Sequence, residues 1–278
     1  MIHLNGSLVD PAVLGFDPRD RGLTLGDGVF ETVKAAGGSV PLLPRHVQRM
    51  KNGAGVLAIP FDADVGAIEA AIRETLGANG LRDGVAAVRI TLTRGVGPRG
   101  LVPPDEPQPT LIITATAFDD SVAPPATAVI SAVRRNESSP LANVKSLNYL
   151  DNVMARQEAA NAGADDAVML NAAGALACAS AANLFLVSSG AILTPAVADG
   201  VLPGITRALV LEAASDLGVP AAETTLEPDA LARSDEAFLT SSLIGVRPLI
   251  RVNDMQVGDG TPGPVTERLR LAVAGRMA

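Results

Sequence analysis

The stretch "NVKSLNYLDNVMARQ" (143–157) holds Lys145, one of three lysines in a chain with 19 arginines, and Tyr149, the sole tyrosine among 278 residues. A guanidinium stays protonated at any working pH, whereas a lysine beside a cationic or apolar neighbour can lose its proton and act as a nucleophile. Two further stretches could hold anions. "GVGPRG" (95–100) and the residue before it present Arg94 and Arg99, and guanidinium forks suit carboxylates; a solvated turn with surface arginines is the other reading. "LPGITRALVLEAASDLG" predicts a helix from about Gly204, with Ile205, Leu209, Ala213 and Leu217 recurring every four residues. The free N–H groups of Ile205 and Thr206 would face a ligand at its positive end, although taken alone this is equally an ordinary helix start. Cys178 is the only cysteine, and His3 and His46 are the only histidines. They allow neither an internal disulfide nor an ordinary zinc site, so no metal is expected.

The elements that must position these residues follow from spacing. "GVGPRG" also matches G-x-G-x-x-G after a strand, but a dinucleotide fingerprint needs a helix to begin there, and the four prolines of "LVPPDEPQPT" forbid one. Ile68, Ile72 and Leu76 share one helical face. Residues 85–94 and 110–118 read as strands. "DDSVAPPATA" (119–128), acidic with adjacent prolines, is the expected linker between an N-terminal domain (1–118) and a C-terminal one (129–278). In the latter a strand "TAVISAV" precedes the Lys145 stretch, and a helix is expected from about Asp151 to Ala162, stopped by Gly163. The short apolar runs "AVML", "ALAC", "LFLV" and "AILT" suggest a meandering or barrel-like sheet.

A chain this long with 47% hydrophobic residues can bury a large core. A net charge of −8 and no basic run argue against nucleic acid or an anionic membrane as partner and favour a small molecule. The start "MIHLNGSLVDP" lacks a basic and then apolar leader, and no apolar segment approaches the roughly 20 residues that span a bilayer. A cytoplasmic protein is expected.

Seven ordered stretches together resemble one family: "RGLTLGDGVFETV" (21–33), "HVQRM" (46–50), "TRGVGPRG" (93–100), "VKSLNYLDNVMARQEA" (144–159), "NLFLV" (183–187), "LPGITR" (202–207) and "FLTSSLIGVRPL" (238–249). The chain is similar, nearly end to end, to the class IV (fold type IV) pyridoxal-phosphate enzymes. These include branched-chain and D-amino-acid aminotransferases and 4-amino-4-deoxychorismate lyase. The resemblance implies a mixed α+β fold of two domains, a smaller N-terminal α/β domain and a larger C-terminal one with a barrel-like sheet. It also implies cofactor between them and a homodimer whose pocket borrows residues from the partner chain. It makes Lys145 the residue that holds pyridoxal 5'-phosphate as a Schiff base and shuttles the proton at the substrate carbon. Arg49, the amides of Ile205 and Thr206, and Ser242 match residues on the cofactor phosphate. Tyr149 matches a tyrosine that donates to the ring oxygen in branched-chain enzymes, or a packing residue in other members. Phe30, Arg99 and Ser241 fall at the substrate pocket. Arg99 matches the carboxylate-holding arginine of the D-amino-acid group, while Leu101 replaces that arginine's histidine neighbour and Phe30 lacks the hydroxyl of the tyrosine found there.

Cys178 departs from the pattern. The family normally has a glutamate five residues before the asparagine of "NLF", and its carboxylate keeps the cofactor's pyridine nitrogen protonated and the ring electron-accepting. Residues 171–187 contain no acid at all, and an ordinary thiol, with a pKa of about 8.5, is mostly neutral at pH 7. The resemblance implies an aminotransferase of the D-amino-acid or branched-chain type, acting on an α-amino acid and a keto acid. The alternatives are aminodeoxychorismate lyase, releasing pyruvate and 4-aminobenzoate, and a cofactor-binding protein with weak turnover because Cys178 replaces the glutamate.

Overall fold

The computed structural model describes every residue except Leu14 and Ala278. The chain divides into two compact units: Met1–Asp120 with Val144–Asn148, and Ser121–Asn143 with Tyr149–Ala278. The first begins with the short strands β1 (Ile2–Leu4) and β2 (Ser7–Val9) and the single-turn helix α1 (Arg21–Leu25), followed by β3 (Gly28–Ala36). Helices α2 (Leu43–Val56) and α3 (Val65–Ala78) come next, then β4 (Val85–Thr93) and β5 (Thr110–Ala117). The sheet is antiparallel throughout, in the order β2-β1-β5-β4-β3.

Side chains alternate along a strand, so Val29, Val33 and Ala35 of β3 share a face and enter one core with Leu43, Val47 and Met50 of α2 and Ile68, Ile72 and Leu76 of α3. The four-residue spacing in α3 is thus a buried stripe, as its sequence predicts. Asp64 caps that helix, accepting from the amides of Gly66 and Ala67 at 3.0 and 3.3 Å.

The second unit contains β6 (Ala126–Arg135), α4 (Leu150–Asn161), β7 (Asp166–Asn171), β8 (Leu176–Ala179), β9 (Asn183–Ser188) and β10 (Ala191–Thr194). Helix α5 (Ile205–Asp216), β11 (Ala221–Glu223) and α6 (Ala230–Arg233) follow, then β12 (Glu236–Ser241), β13 (Gly245–Val252), β14 (Met255–Gln256) and α7 (Pro264–Met277). The short apolar runs do form hairpins, β7 with β8 and β9 with β10. The sheet is nevertheless no simple meander: its order is β11-β10-β9-β12-β13-β6-β7-β8, with β14 on β13. Strand β6 lies parallel to both β13 and β7. A parallel pair needs a long crossover, and α4 lies within the one that joins β6 to β7. Strands β7 and β8 are buried along their whole length, which is why they read as continuous apolar runs.

Two boundaries differ from the sequence expectation. Strand β6 already begins at Ala126, inside the stretch expected as a linker, because Ala126 and Ala128 are wholly buried sheet residues. Residues 144–148 leave their sequence neighbours and join the first unit. Among the described residues no helix is long and apolar enough to cross a membrane.

Candidate active site

Lys145 is placed by backbone pairing. Strand β3 is the last strand of its sheet, and its outer edge would offer unpaired peptide groups. The returning segment takes that edge: the Phe30 amide donates to the Lys145 carbonyl at 2.9 Å, the Leu147 amide to the Gly28 carbonyl at 2.9 Å, and Val29 bridges Ser146 antiparallel.

Around the Lys145 amine the first unit assembles aromatic, cationic and anionic groups. The Phe30 ring, 5% exposed, has Lys145 Nζ 4.4 Å and Arg89 Cζ 3.8 Å from its centroid, both within cation–π range. One residue on, Glu31 points to the opposite face of β3, toward α2, and is fully buried. His46 Nδ1 donates to its carboxylate at 2.7 Å, and Arg49 donates through Nε at 2.8 Å and Nη2 at 2.6 Å. His46 and Arg49 stand three apart on α2 and so share a face. Burial alone would raise the Glu31 pKa; the hydrogen bonds from Arg49 and His46, with their charge, outweigh it and hold the carboxyl below its ordinary value.

The Lys145 amine is pushed down to about 8, first by burial and then by the positive charge of Arg49, with a smaller push from Arg89 and an opposing pull from Glu31. An amine in that range is partly unprotonated near neutral pH and can attack an aldehyde.

The second unit carries an anion cradle. Helix α5 starts behind Gly204 with no side chain capping its first amides, so these donors are available to a ligand. A Cβ at Gly204 would stand 2.0 Å from the Asn183 side-chain oxygen, so the position has no room for one. Asn183 donates to the Leu202 carbonyl at 3.0 Å and pairs with Thr240 across β9 and β12. The hydroxyls of Thr206 and Thr240 are both buried and have no hydrogen-bond partner among the described residues. Buried polar groups normally find partners; two orphaned hydroxyls beside an uncapped helix start fit a phosphate. Ser241 ends β12 and its hydroxyl accepts from the Ile244 amide at 3.4 Å; Ser242 is in the following turn.

Cys178 lies in β8, 6% exposed. Burial raises its pKa, and the charge of Asp166 adds to this; the positive charge of the Arg135 guanidinium pulls the other way without winning. The thiol is neutral at pH 7. Arg135 is itself fixed by donating to the carbonyls of Gly200 and Ala142, each at 2.8 Å. Tyr149 sits at the N-cap position of α4 with its carbonyl accepting from the Val153 amide at 3.0 Å.

Of the residues singled out in the sequence, Lys145, Arg49 and Phe30 therefore meet in the first unit, and Ile205 and Thr206 form the α5 tip in the second. Arg99 is exposed and lines a cavity of about 390 Å³ with Pro18, Arg21, Leu25 and Leu101, a lining that does not include Lys145, Phe30 or Arg49. The sequence reading missed Glu31, His46, Arg89, Arg135 and Thr240. Glu31 had a signal, a carboxylate in register with Val29 and Val33 on a core-facing strand, and His46 opens "HVQRM" three residues before Arg49; the others had none.

The model of the family described as "Amino-transferase class IV" matches residues 28–252. A protein of Methanocaldococcus jannaschii provisionally named a branched-chain-amino-acid aminotransferase is 33% identical over 97% of this chain and 93% of its own length. Aminodeoxychorismate lyase of Bacillus subtilis is 28% identical over 98% and 92%, and D-alanine aminotransferase of Staphylococcus haemolyticus 29% over 97% and 95%. Among solved structures, the Escherichia coli branched-chain amino acid aminotransferase superposes with a TM-score of 0.92 at 26% identity, covering 100% of this chain and 94% of that one. The T.th. branched-chain amino acid aminotransferase with pyridoxamine 5'-phosphate gives 0.90 at 29%, covering 99% and 93%. The chain, a two-unit α+β protein, belongs to the class IV aminotransferases, a pyridoxal-phosphate-dependent enzyme family.

Proposed function

We propose that this protein is a pyridoxal-phosphate-dependent aminotransferase that moves the amino group of an α-amino acid to a keto acid, with Lys145 as the catalytic lysine. The observation that carries the reading is the Lys145 amine itself, set against Phe30, Arg49 and Arg89 and pushed down to about 8. When bound, pyridoxal phosphate supplies an aldehyde for that amine and a ring that accepts electrons from the substrate carbon. The remaining work falls to the chain. Lys145 holds and returns the proton at the substrate carbon. Arg49, oriented by Glu31, binds the phosphate, as do the amides of Ile205 and Thr206 and the hydroxyls of Thr206 and Ser242. Phe30 and Ser241 line the substrate pocket, and Tyr149 packs or donates at the ring. Arg89, exposed beside Phe30, and Arg99 offer guanidinium forks for substrate carboxylates. The protein works in the cytoplasm as a homodimer.

One observation favours a second reading, aminodeoxychorismate lyase. Cys178 is a buried neutral thiol with a guanidinium beside it, and neither group favours a proton on a neighbouring pyridine nitrogen. A weaker electron sink suits an elimination better than full transamination, or leaves a protein that keeps the cofactor with little turnover. Visible spectra of the purified protein during addition of D- and then L-amino donors, with parallel assays for keto-acid-dependent amino transfer and for 4-aminobenzoate release, separate the three. Amino transfer supports the first reading. Release of 4-aminobenzoate alone overturns it in favour of the lyase, and a cofactor spectrum that no donor changes leaves only binding.

A further inference from the structure

The "GVGPRG" stretch supports neither a helix nor a dinucleotide, and its glycines have another use. Residues 95–109 form no regular element between β4 and β5. Gly95 has a φ of +85° and its Cβ would stand 1.8 Å from the Gln108 carbonyl oxygen; Gly100 has a φ of +116°. At Gly97 an added Cβ would lie 2.7 Å from Cδ of Arg21. The glycine therefore leaves space for the Arg21 side chain, which is 4% exposed.

Arg21 spends its fork on the loop. Nη1 donates to the Gly100 carbonyl at 3.0 Å and, more weakly, to that of Val102 at 3.4 Å, while Nη2 donates to Leu101 at 3.0 Å. Nε donates to Asp27 at 2.8 Å, which sets an opposite charge beside the buried guanidinium. Asp27 is held in turn by Arg94, at 2.7 and 3.0 Å, and Arg94 donates to the carbonyls of Leu57 and Ala58. Three successive carbonyls are thus fastened directly after Arg99, although residues Leu101 and Val102 are 82% and 78% exposed. Arg99 makes no hydrogen bond or ion pair among the described residues. An exposed guanidinium on a loop without regular structure binds an anion well only if its backbone is already ordered, since otherwise binding carries the entropy of ordering it.

We propose that Arg21 is a positioning residue: by fastening the backbone of residues 100–102 it preorganises Arg99 for the substrate carboxylate, with Asp27 and Arg94 holding Arg21 in place. The inference rests on the carboxylate role proposed for Arg99. Arg21→Lys keeps the charge opposite Asp27 but loses the planar fork that reaches three carbonyls. In the holoenzyme, amide hydrogen exchange over residues 96–103 is expected to rise about tenfold, and KM for 2-oxoglutarate about tenfold with kcat within about twofold, the scale of one or two lost charged hydrogen bonds. The cofactor absorbance stays unchanged. Gly97→Ala, which crowds Arg21, gives the same pattern if Arg21→Lys fails to fold. Wild-type exchange in that segment, or a fall in melting temperature and kcat with KM unchanged, overturns the proposal. Arg99→Ala run in parallel separates the two layers. A wild-type KM there removes the carboxylate role, whereas a raised KM in Arg99→Ala with none in Arg21→Lys removes the positioning role alone.

Discussion

The depressed amine of Lys145 sets a pH dependence that can be worked out in advance. An ordinary lysine, with a pKa of about 10.5, has roughly one molecule in a thousand unprotonated at about pH 7.5; at about 8 the fraction is roughly a quarter, a gain of about 200-fold in reactive amine. Apoprotein mixed with pyridoxal phosphate in a stopped-flow spectrometer should therefore capture the aldehyde at a rate that climbs with pH and levels off above about 8. The neighbours set the sign of each variant. Burial aside, Arg49 and Arg89 lower the amine and Glu31 raises it, so Arg89→Met moves the midpoint up. Arg89 is exposed, donates to the Thr91 hydroxyl at 3.1 Å and lies 3.8 Å over the Phe30 ring; Met keeps an unbranched apolar stem there while removing the charge. A wild-type rate still climbing above pH 10, or a midpoint in Arg89→Met that moves down, would refute the electrostatic account of this lysine.

Three other outcomes follow from the same structure. Cys178→Glu should raise amino transfer at least about tenfold by restoring a partner that keeps the pyridine nitrogen protonated; an unchanged rate with cofactor still bound counts against the weak-sink argument. Glu31→Gln leaves the Arg49 guanidinium, 13% exposed, without its counter-charge and buried His46 without its carboxylate acceptor, and urea unfolding at pH 7 should register a loss of about 2–4 kcal/mol. Because the Glu31 carboxyl is held below its ordinary value, that contribution is present above about pH 4.5 and drains as the pH falls through the folded-state value, so the gap between wild type and variant should close in acid; a constant gap contradicts the sign. Thr206→Val removes an orphaned buried hydroxyl, so the apoprotein should be as stable or more so while cofactor affinity, by fluorescence titration, drops about tenfold; the reverse pattern would make the hydroxyl structural.

Local pattern was legible wherever one face of an element meets one core. Helix α3 and strands β4 and β5 follow their apolar spacing, and Gly163, at a φ of +68°, ends the helix that began near Asp151. Lys145 stood out by residue type, since a rare amine amid arginines has few explanations. Non-local order was not legible. Nothing in the apolar run of β6 says that it lies between β13 and β7, because a strand buried among parallel neighbours carries no mark of which strands they are. The return of residues 144–148 to the edge of β3 is made by backbone groups, which every sequence shares. Arg21 was hidden for a related reason. Its partners are carbonyls, and the glycines that make room for it resemble those of a nucleotide loop.

The claim beneath the proposed function is that one particular amine carries the cofactor. Reduction of the protein, saturated with pyridoxal phosphate, by borohydride, followed by proteolysis and mass spectrometry, reads that amine directly. The label is expected on the peptide containing Lys145, and Lys145→Ala should abolish it; a label on Lys34, Lys51 or the terminal amine instead, or none at all, would contradict the assignment.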